Sequence, residues 1–349
     1  MRKFNPDMMV LARERKGWTQ SALGKLVDLT QATISRYEAG IVEPIPEHLD
    51  RIATKLERPA GFFYLDEHLY GASSMFHRKR KSLSVKDERR IHAQVNELRI
   101  RASILLREAE IHSRAKFHRL EIGKDGPEGV ARQLRQIWQL PNGPVRSVVG
   151  SIERAGGIVF CCPFGSDKID GISQWPLDCD RAPPVFFVRD DAPGDRQRWT
   201  LAHELGHVVM HHMPTDDPEK DADRFAAEFL LPAREIQPEL DRLSLQKVAA
   251  LKCYWKVSMA AIIWQAHSLG TINEYQYRYF MSQMSMRGYR KCEPAPIPTE
   301  EPQLFDAIME VHRRSHGRSA SHLADLLQMH EHQFREEYWR GMSGLRIAM

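Results

Sequence analysis

The chain has 349 residues, 42% of them hydrophobic and 28% charged, with a formal net charge of +4. These values fit a globular protein of two or three domains, exclude a disordered chain, and do not by themselves indicate a nucleic-acid partner. No apolar run is long enough to span a bilayer, no secretory segment is expected, and five cysteines without a C-x-x-C pair predict reduced thiols in a cytoplasmic protein.

Residues 5–70 read as short helices with polar turns. Within them, residues 19–40 have the rhythm of helix, tight turn, helix. Thr19 and Thr30 are placed to cap, and Leu23, Leu26, Leu29, Ile34 and Tyr37 supply an apolar interior. Gln31, Thr33, Ser35 and Arg36 are left outward on the second helix, where polar side chains can read base edges in the major groove. Gln20, opening the first helix, suits a phosphate contact. With Pro44 and residues 48–53, the stretch resembles the xenobiotic-response-element (XRE) family of helix-turn-helix regulators. The resemblance implies a five-helix, lambda-repressor-like domain over residues 1–70 and a double-stranded DNA operator as partner. It also implies a homodimer, because one recognition helix covers half an operator.

Residues 71–126 are expected to form a basic and helical linker. The run His77-Arg78-Lys79-Arg80-Lys81 suits phosphate contacts and a solvated linker equally well. A long helical pattern follows, with Ile91, Val95, Leu98 and Leu105 at spacings of three, four and seven, stopped by Gly123, Gly126 and Pro127.

Residues 127–240 mix helix and strand. Helices are expected over 128–139 and 145–155. The β-rich runs 157–162 and 184–188 read as strands, with 169–173 as another between them. An extended peptide is expected to add at the edge formed by residues 185–188. Asp195 is expected to cap the next helix, which carries Trp199, Leu201, Ala202, Leu205, Val208 and Val209. On that helix His203 and His207 lie four apart, so both rings project from one face and can reach one metal ion. Glu204 lies off the metal axis, where a carboxylate can take a proton from water activated by the metal. Gly206 is expected to keep the surface low for a substrate backbone.

A catalytic zinc needs a third protein ligand and an open position. Met210 and Met213 exclude the arrangement in which a third histidine follows a glycine turn. His211 lies about 12 Å along the helix from His203, too far to share its metal. A carboxylate from the helix after Pro214 and Pro218 remains, with Glu219, Asp223 and Glu228 as candidates, and Ala222 and Ala226 small enough for close packing.

Residues 198–207, with Glu219-x-x-Ala-Asp-x-Phe-Ala and Leu230-Leu231-Pro232, resemble the ImmA/IrrE family of metallopeptidases. Residues 166–171 and 189–196 are similar to members that carry an N-terminal regulator domain. The resemblance implies Zn2+ held by His203, His207 and Glu219, with Glu204 as general base. Asp223, where the family often has Asn, is then expected to orient a histidine rather than bind the metal.

Residues 241–349 are expected to form a helical extension broken by Pro294, Pro296 and Pro298. Residues 245–270 and 319–340 share the helix-turn-helix rhythm and read as packing units. His312, His316, His322, His330 and His332 are expected at the surface. The whole is therefore a mostly α, multidomain chain: an N-terminal helix-turn-helix domain, an α+β zincin-like metallopeptidase with a small sheet, and a helical C-terminal region. The function expected is a DNA-binding transcriptional regulator whose zinc endopeptidase cleaves a partner repressor or itself. The other reading is a ligand-sensing transcription factor that performs no proteolysis. The intact Glu204 disfavours it, since sensing requires no general base.

Overall fold

Caps and breakers set the first elements. In the computed structural model, which describes residues 3–70, 75–77, 84–109, 117–166, 168–175, 183–212 and 215–339, α1 (Pro6–Arg15) begins after Asn5, whose side chain accepts the Asp7 amide. Helices α2 (Gln20–Leu26) and α3 (Gln31–Glu38) begin at Thr19 and Thr30, whose hydroxyls accept the Ala22 and Thr33 amides at 3.1 Å. Such a cap contributes about 1 kcal/mol. Helix α4 (Pro46–Leu56) follows. The fifth helix of the N-terminal unit is a short 3-10 helix, Ala60–Tyr64. Pro59 precedes it, Gly61 lowers helix propensity within it, and the chain is already extended at Leu65.

Strand β1 (Met75–His77) leads to α5 (Val85–Glu108), capped by Ser84 and shorter than the helical pattern suggested. Residues 78–81 of the basic run lie outside the described residues. Then come α6 (Gly126–Ile137), α7 (Val148–Arg154), β2 (Ile158–Cys162), β3 (Gly171–Gln174), β4 (Val185–Arg189), α8 (Gly194–Met210) and α9 (Pro218–Leu230). The remainder is helical: α10 (Ala233–Ile236), α11 (Leu245–Trp255), α12 (Met259–Ser268), α13 (Glu274–Met286), α14 (Leu304–Arg314), α15 (Ala320–Leu326) and α16 (Glu331–Phe334). No helix among the described residues is long and apolar enough to cross a membrane. His312, expected at the surface, is fully buried, and its Nε2 lies 2.9 Å from the Leu105 carbonyl oxygen.

The strands form one sheet in the order β1-β3-β4-β2. β2 and β4 are parallel, and the other two pairs are antiparallel. Strand β4 is thus interior and cannot accept an added peptide, contrary to the expectation for residues 185–188; a run buried on both faces reads as continuously apolar wherever it lies in a sheet. Ile158, Phe160, Val185 and Phe187 face a core shared with α1–α5 and α14–α16. Val159, Phe186 and Val188 face a second core, built with α6–α9 and α11–α13. The helices at the two ends of the chain therefore pack together, on the opposite side of the sheet from α8.

A buried carboxylate ties this first core together. Glu97 of α5 pairs with Arg58 at 2.5 Å, Arg101 at 2.6 Å and Arg15 at 3.2 Å, while Arg101 also reaches Glu337 at 2.7 Å. Burial alone would raise the Glu97 pKa, but the three guanidinium groups outweigh it and hold the carboxyl at about 2. A depressed folded-state pKa stabilises above the unfolded value, and the contribution is lost as pH falls toward about 2. Glu97→Ala, which leaves the arginines facing one another, is expected to destabilise the fold by roughly 3–5 kcal/mol in urea unfolding at neutral pH. The difference from wild type should shrink as pH is lowered from 4.5 toward 2.

Candidate metal centre

Helix α8 runs between the sheet and α9, with nearly every residue buried. Its first turn differs from expectation. Pro193 occupies the cap position, and Asp195 lies inside the helix, paired with the buried Lys252 of α11. Gly194 is required by close approach: a Cβ there would sit 2.2 Å from the Pro298 carbonyl oxygen. Gly206 serves packing rather than substrate access, because its missing Cβ leaves room for Phe225 and Ala222 of α9.

That close α8–α9 contact brings the donors together. His203 Nε2 and His207 Nε2 are 3.1 Å apart. Glu219, in the first turn of α9, places Oε2 at 3.5 Å from the first ring nitrogen and Oε1 at 3.3 Å from the second. One ligand atom from each of the three lies within 4.8 Å of the others. The opposite ring nitrogens are occupied. His203 Nδ1 meets Asp223 Oδ1 at 2.9 Å, and His207 Nδ1 meets His211 Nδ1 at 2.7 Å. With Nδ1–H donated in each case, both Nε2 lone pairs are left for a cation. Burial pushes the His211 pKa down to about 4, helped by the neighbouring His207, so its ring is neutral and able to accept.

The electrostatics describe a site built for positive charge. Burial opposes the charged form of His203, yet its bonds to Asp223 and Glu219 raise its pKa to about 9. Glu219 moves far the other way: its burial is outweighed by the two histidines. Two imidazoles and a carboxylate make a donor set suited to a divalent transition metal.

Glu204 is fully buried beside them. Ser173 of β3 donates Oγ–H to its Oε2 at 2.6 Å, while Oε1 has no hydrogen-bond partner among the described residues. Burial raises the Glu204 pKa against the lowering pull of His207 and His203. Glu228 takes no part: it accepts from Arg132 at 3.3 Å and from the Ala233 amide at 3.0 Å. Sequence reasoning missed Ser173 and His211 as partners. The i, i+4 spacing from His207 could have signalled His211, whereas nothing local marks Ser173.

On the N-terminal helices, Gln31 and Arg36 of α3 are exposed, and Thr33 and Ser35 are half-buried beside them. Gln31 Nε2 donates to Gln20 Oε1 at 2.8 Å, and Gln20 Nε2 donates to Glu38 at 2.9 Å. The starts of α2 and α3 are thereby locked to each other.

Residues 152–264 match the family model of the IrrE N-terminal-like domain, and residues 11–63 match that of the helix-turn-helix. No curated protein matches the chain. The first match runs from the end of α7 into α12 and holds every member of the donor set; it supports a peptidase-like domain, as the second supports DNA binding.

Asp223→Ala, which frees His203 to rotate, is expected to weaken divalent-metal affinity by roughly 10–100-fold. Competition against a chromophoric chelator measures it, and Glu219→Ala should lose more than Asp223→Ala.

Proposed function

We propose that this chain, an XRE-type helix-turn-helix region joined to an IrrE/ImmA-like peptidase region, is a cytoplasmic transcriptional regulator with a zinc-dependent endopeptidase activity. Its substrate is a regulatory protein, either a partner repressor or the chain itself. The reading is carried by one observation: two imidazole nitrogens and a carboxylate converge beside a fully buried carboxylate, one oxygen of which has no partner among the described residues. Three protein ligands leave a coordination position open, as in catalytic zinc sites, whereas structural zinc generally closes with four.

When bound, zinc supplies a Lewis acid that polarises the scissile carbonyl and acidifies water. Glu204 takes the proton of the attacking water at Oε1 and delivers it to the leaving amine. Burial makes Glu204 a stronger base than a solvated carboxylate. Ser173 holds Oε2, so the two oxygens have separate tasks. Asp223 and His211 keep His203 and His207 in the tautomer that turns Nε2 to the metal. A ligand sensor that never cuts would have no use for this buried base.

At the other end, α3 enters the major groove with Gln31, Thr33, Ser35 and Arg36 toward base edges, and Gln20 contacts phosphate. A homodimer then covers both half-sites.

Zinc-loaded protein, incubated alone and with any helix-turn-helix repressor that a neighbouring gene encodes, is expected to give defined cuts by mass spectrometry. Glu204→Gln should cut at least about 10²-fold more slowly. Equal cutting by both proteins, or no cutting together with an unaltered cellular response in Glu204→Gln, would overturn the protease reading. For the DNA end, Arg36→Ala is expected to cost roughly 1–3 kcal/mol of operator affinity in mobility-shift titrations, with little change on unrelated DNA.

A further inference from the structure

Four stretches far apart in sequence line a cavity of about 430 Å3: the end of α1, the residues closing α4, one face of α5, and residues 333–337. Leu56 and Leu98 form part of its wall, and both belong to the core on the opposite side of the sheet from α8. The cavity is therefore separate from the metal donors. Its volume falls within the range of small-molecule sites, roughly 300–1,000 Å3.

The wall carries more positive charge than its carboxylates answer. Lys16 and Glu57 pair with each other at 2.7 Å. Glu97, a single carboxylate, serves three guanidinium groups: Arg58 and Arg101 at Oε1, and Arg15 at Oε2. Arg101 also donates to Glu337 and to the Tyr338 hydroxyl, so most of its donors are used. Arg15 and Arg58 have no second carboxylate among the described residues. Arg90 has none there at all, and its Nη2 donates to the Phe164 carbonyl at 3.3 Å. Glu336, the remaining acid of the wall, is exposed. One acceptor adjoins these cations unmet: Gln333 Oε1 is buried and has no hydrogen-bond partner among the described residues.

A guanidinium group presents its N–H donors as a planar fork that matches two oxygens of a carboxylate or phosphate. We propose that this cavity binds a small organic oxyanion that carries a hydroxyl group. Its acid group takes the N–H groups that Glu97 leaves over on Arg15 and Arg58, together with those of Arg90. Its hydroxyl donates to Gln333, and its carbon chain lies on Leu56 and Leu98. The site rests on neither the peptidase reading nor the DNA reading. Its contacts span three regions: Arg15 and Arg58 lie in the helix-turn-helix match, Arg90 in α5, and Gln333 in α16. A bound anion thus ties the DNA end to the rest of the chain, and its binding free energy stabilises that joint.

Isothermal titration of the zinc-loaded full chain with malate, succinate and glycerol 3-phosphate tests the proposal, with sodium chloride holding ionic strength constant. Saturable binding of malate or glycerol 3-phosphate is expected, one per chain, with a Kd of about 1 mM or tighter. Whichever binds more tightly identifies the acid group. The thermal midpoint should rise with occupancy. Arg90→Gln is expected to weaken binding at least about tenfold, while the midpoint without anion and the zinc affinity stay as in wild type. Arg90→Lys, which keeps the charge and loses the fork, serves where Arg90→Gln does not fold. Gln333→Leu should weaken the hydroxylated probes, and succinate, which lacks the hydroxyl of malate, should bind about tenfold more weakly than malate. No saturable heat from malate or glycerol 3-phosphate up to about 10 mM overturns the proposal. So does unchanged binding in the folded Arg90 variants, because the anion then sits elsewhere, the zinc site included. Equal binding of malate and succinate overturns the contact at Gln333.

Discussion

Helix α8 is buried on nearly all sides, yet five of its buried side chains are ionisable. Only Arg196 and Trp199 escape burial, while Asp195, Arg198, His203, Glu204 and His207 do not. A charge or polar group taken out of water must find a partner or lose several kcal/mol. Each of these five has a partner, four of them from outside α8 and its cap. Lys252 answers Asp195, Glu300 and the carbonyls of Val145 and Lys256 answer Arg198, Asp223 answers His203, Ser173 answers Glu204, and His211 answers His207. The positions of β3, α9, α11 and the segment near residue 300 follow from that requirement.

This explains why the site needs residues well beyond the matched region. Residues 293–300 run along the N-terminal end of α8. Glu293 accepts from Lys252 and from the Met259 amide at 2.8 Å each, and Gln197 exchanges two hydrogen bonds with the backbone of Glu300. The prolines at 294, 296 and 298 break the helical texture for a structural reason: the strap must stay extended to cross Gly194, where no Cβ fits. What reads in sequence as an interruption is the piece that neutralises Arg198.

Period and punctuation carried most of what could be read from the sequence. Thr19 and Thr30 announce the turn between α2 and α3, and apolar runs announce β2 and β4. The four-residue spacing of His203 and His207 is enough to converge their rings, because helical geometry alone fixes it. Glu219 was separated from Asp223 and Glu228 by resemblance rather than by spacing, since all three lie within one helix. Long-range partners were not legible. Nothing around Ser173 marks it as a partner of Glu204, and nothing around Asp195 signals Lys252. Strand β1 was hidden because its three residues run into a basic tract, where charge dominates the pattern. His312 was misread for a related reason: its acceptor, the Leu105 carbonyl, lies far away in sequence. Gly206 shows the converse error, in which a correct inference of close approach was assigned to the wrong neighbour.

The sheet is the one layer common to both halves of the molecule. On one face Phe160 stacks on Phe187 at 5.4 Å and meets Phe305 of α14 at 5.2 Å, within the core that includes the N-terminal helices. On the other face Phe186 and Val188 pack with Leu201, Leu205 and Val209 of α8. Close-packed cores transmit displacement rather than absorb it. Between the DNA end and the donor set there is therefore no flexible hinge within the sheet itself. The joints are the Glu97 ion cluster on one side and the α8–α9 contact on the other, and they differ in kind. The first is held by charge and weakens as its carboxylate is protonated, whereas the second rests on shape at Gly206, Ala222 and Phe225 together with the pairing of His203 and His207 to α9 carboxylates. The geometry of His203, His207 and Glu219 is thus set on the opposite face of the sheet from the Glu97 cluster, by packing of α8 on α9 and by Asp223 and His211, which fix the two rings.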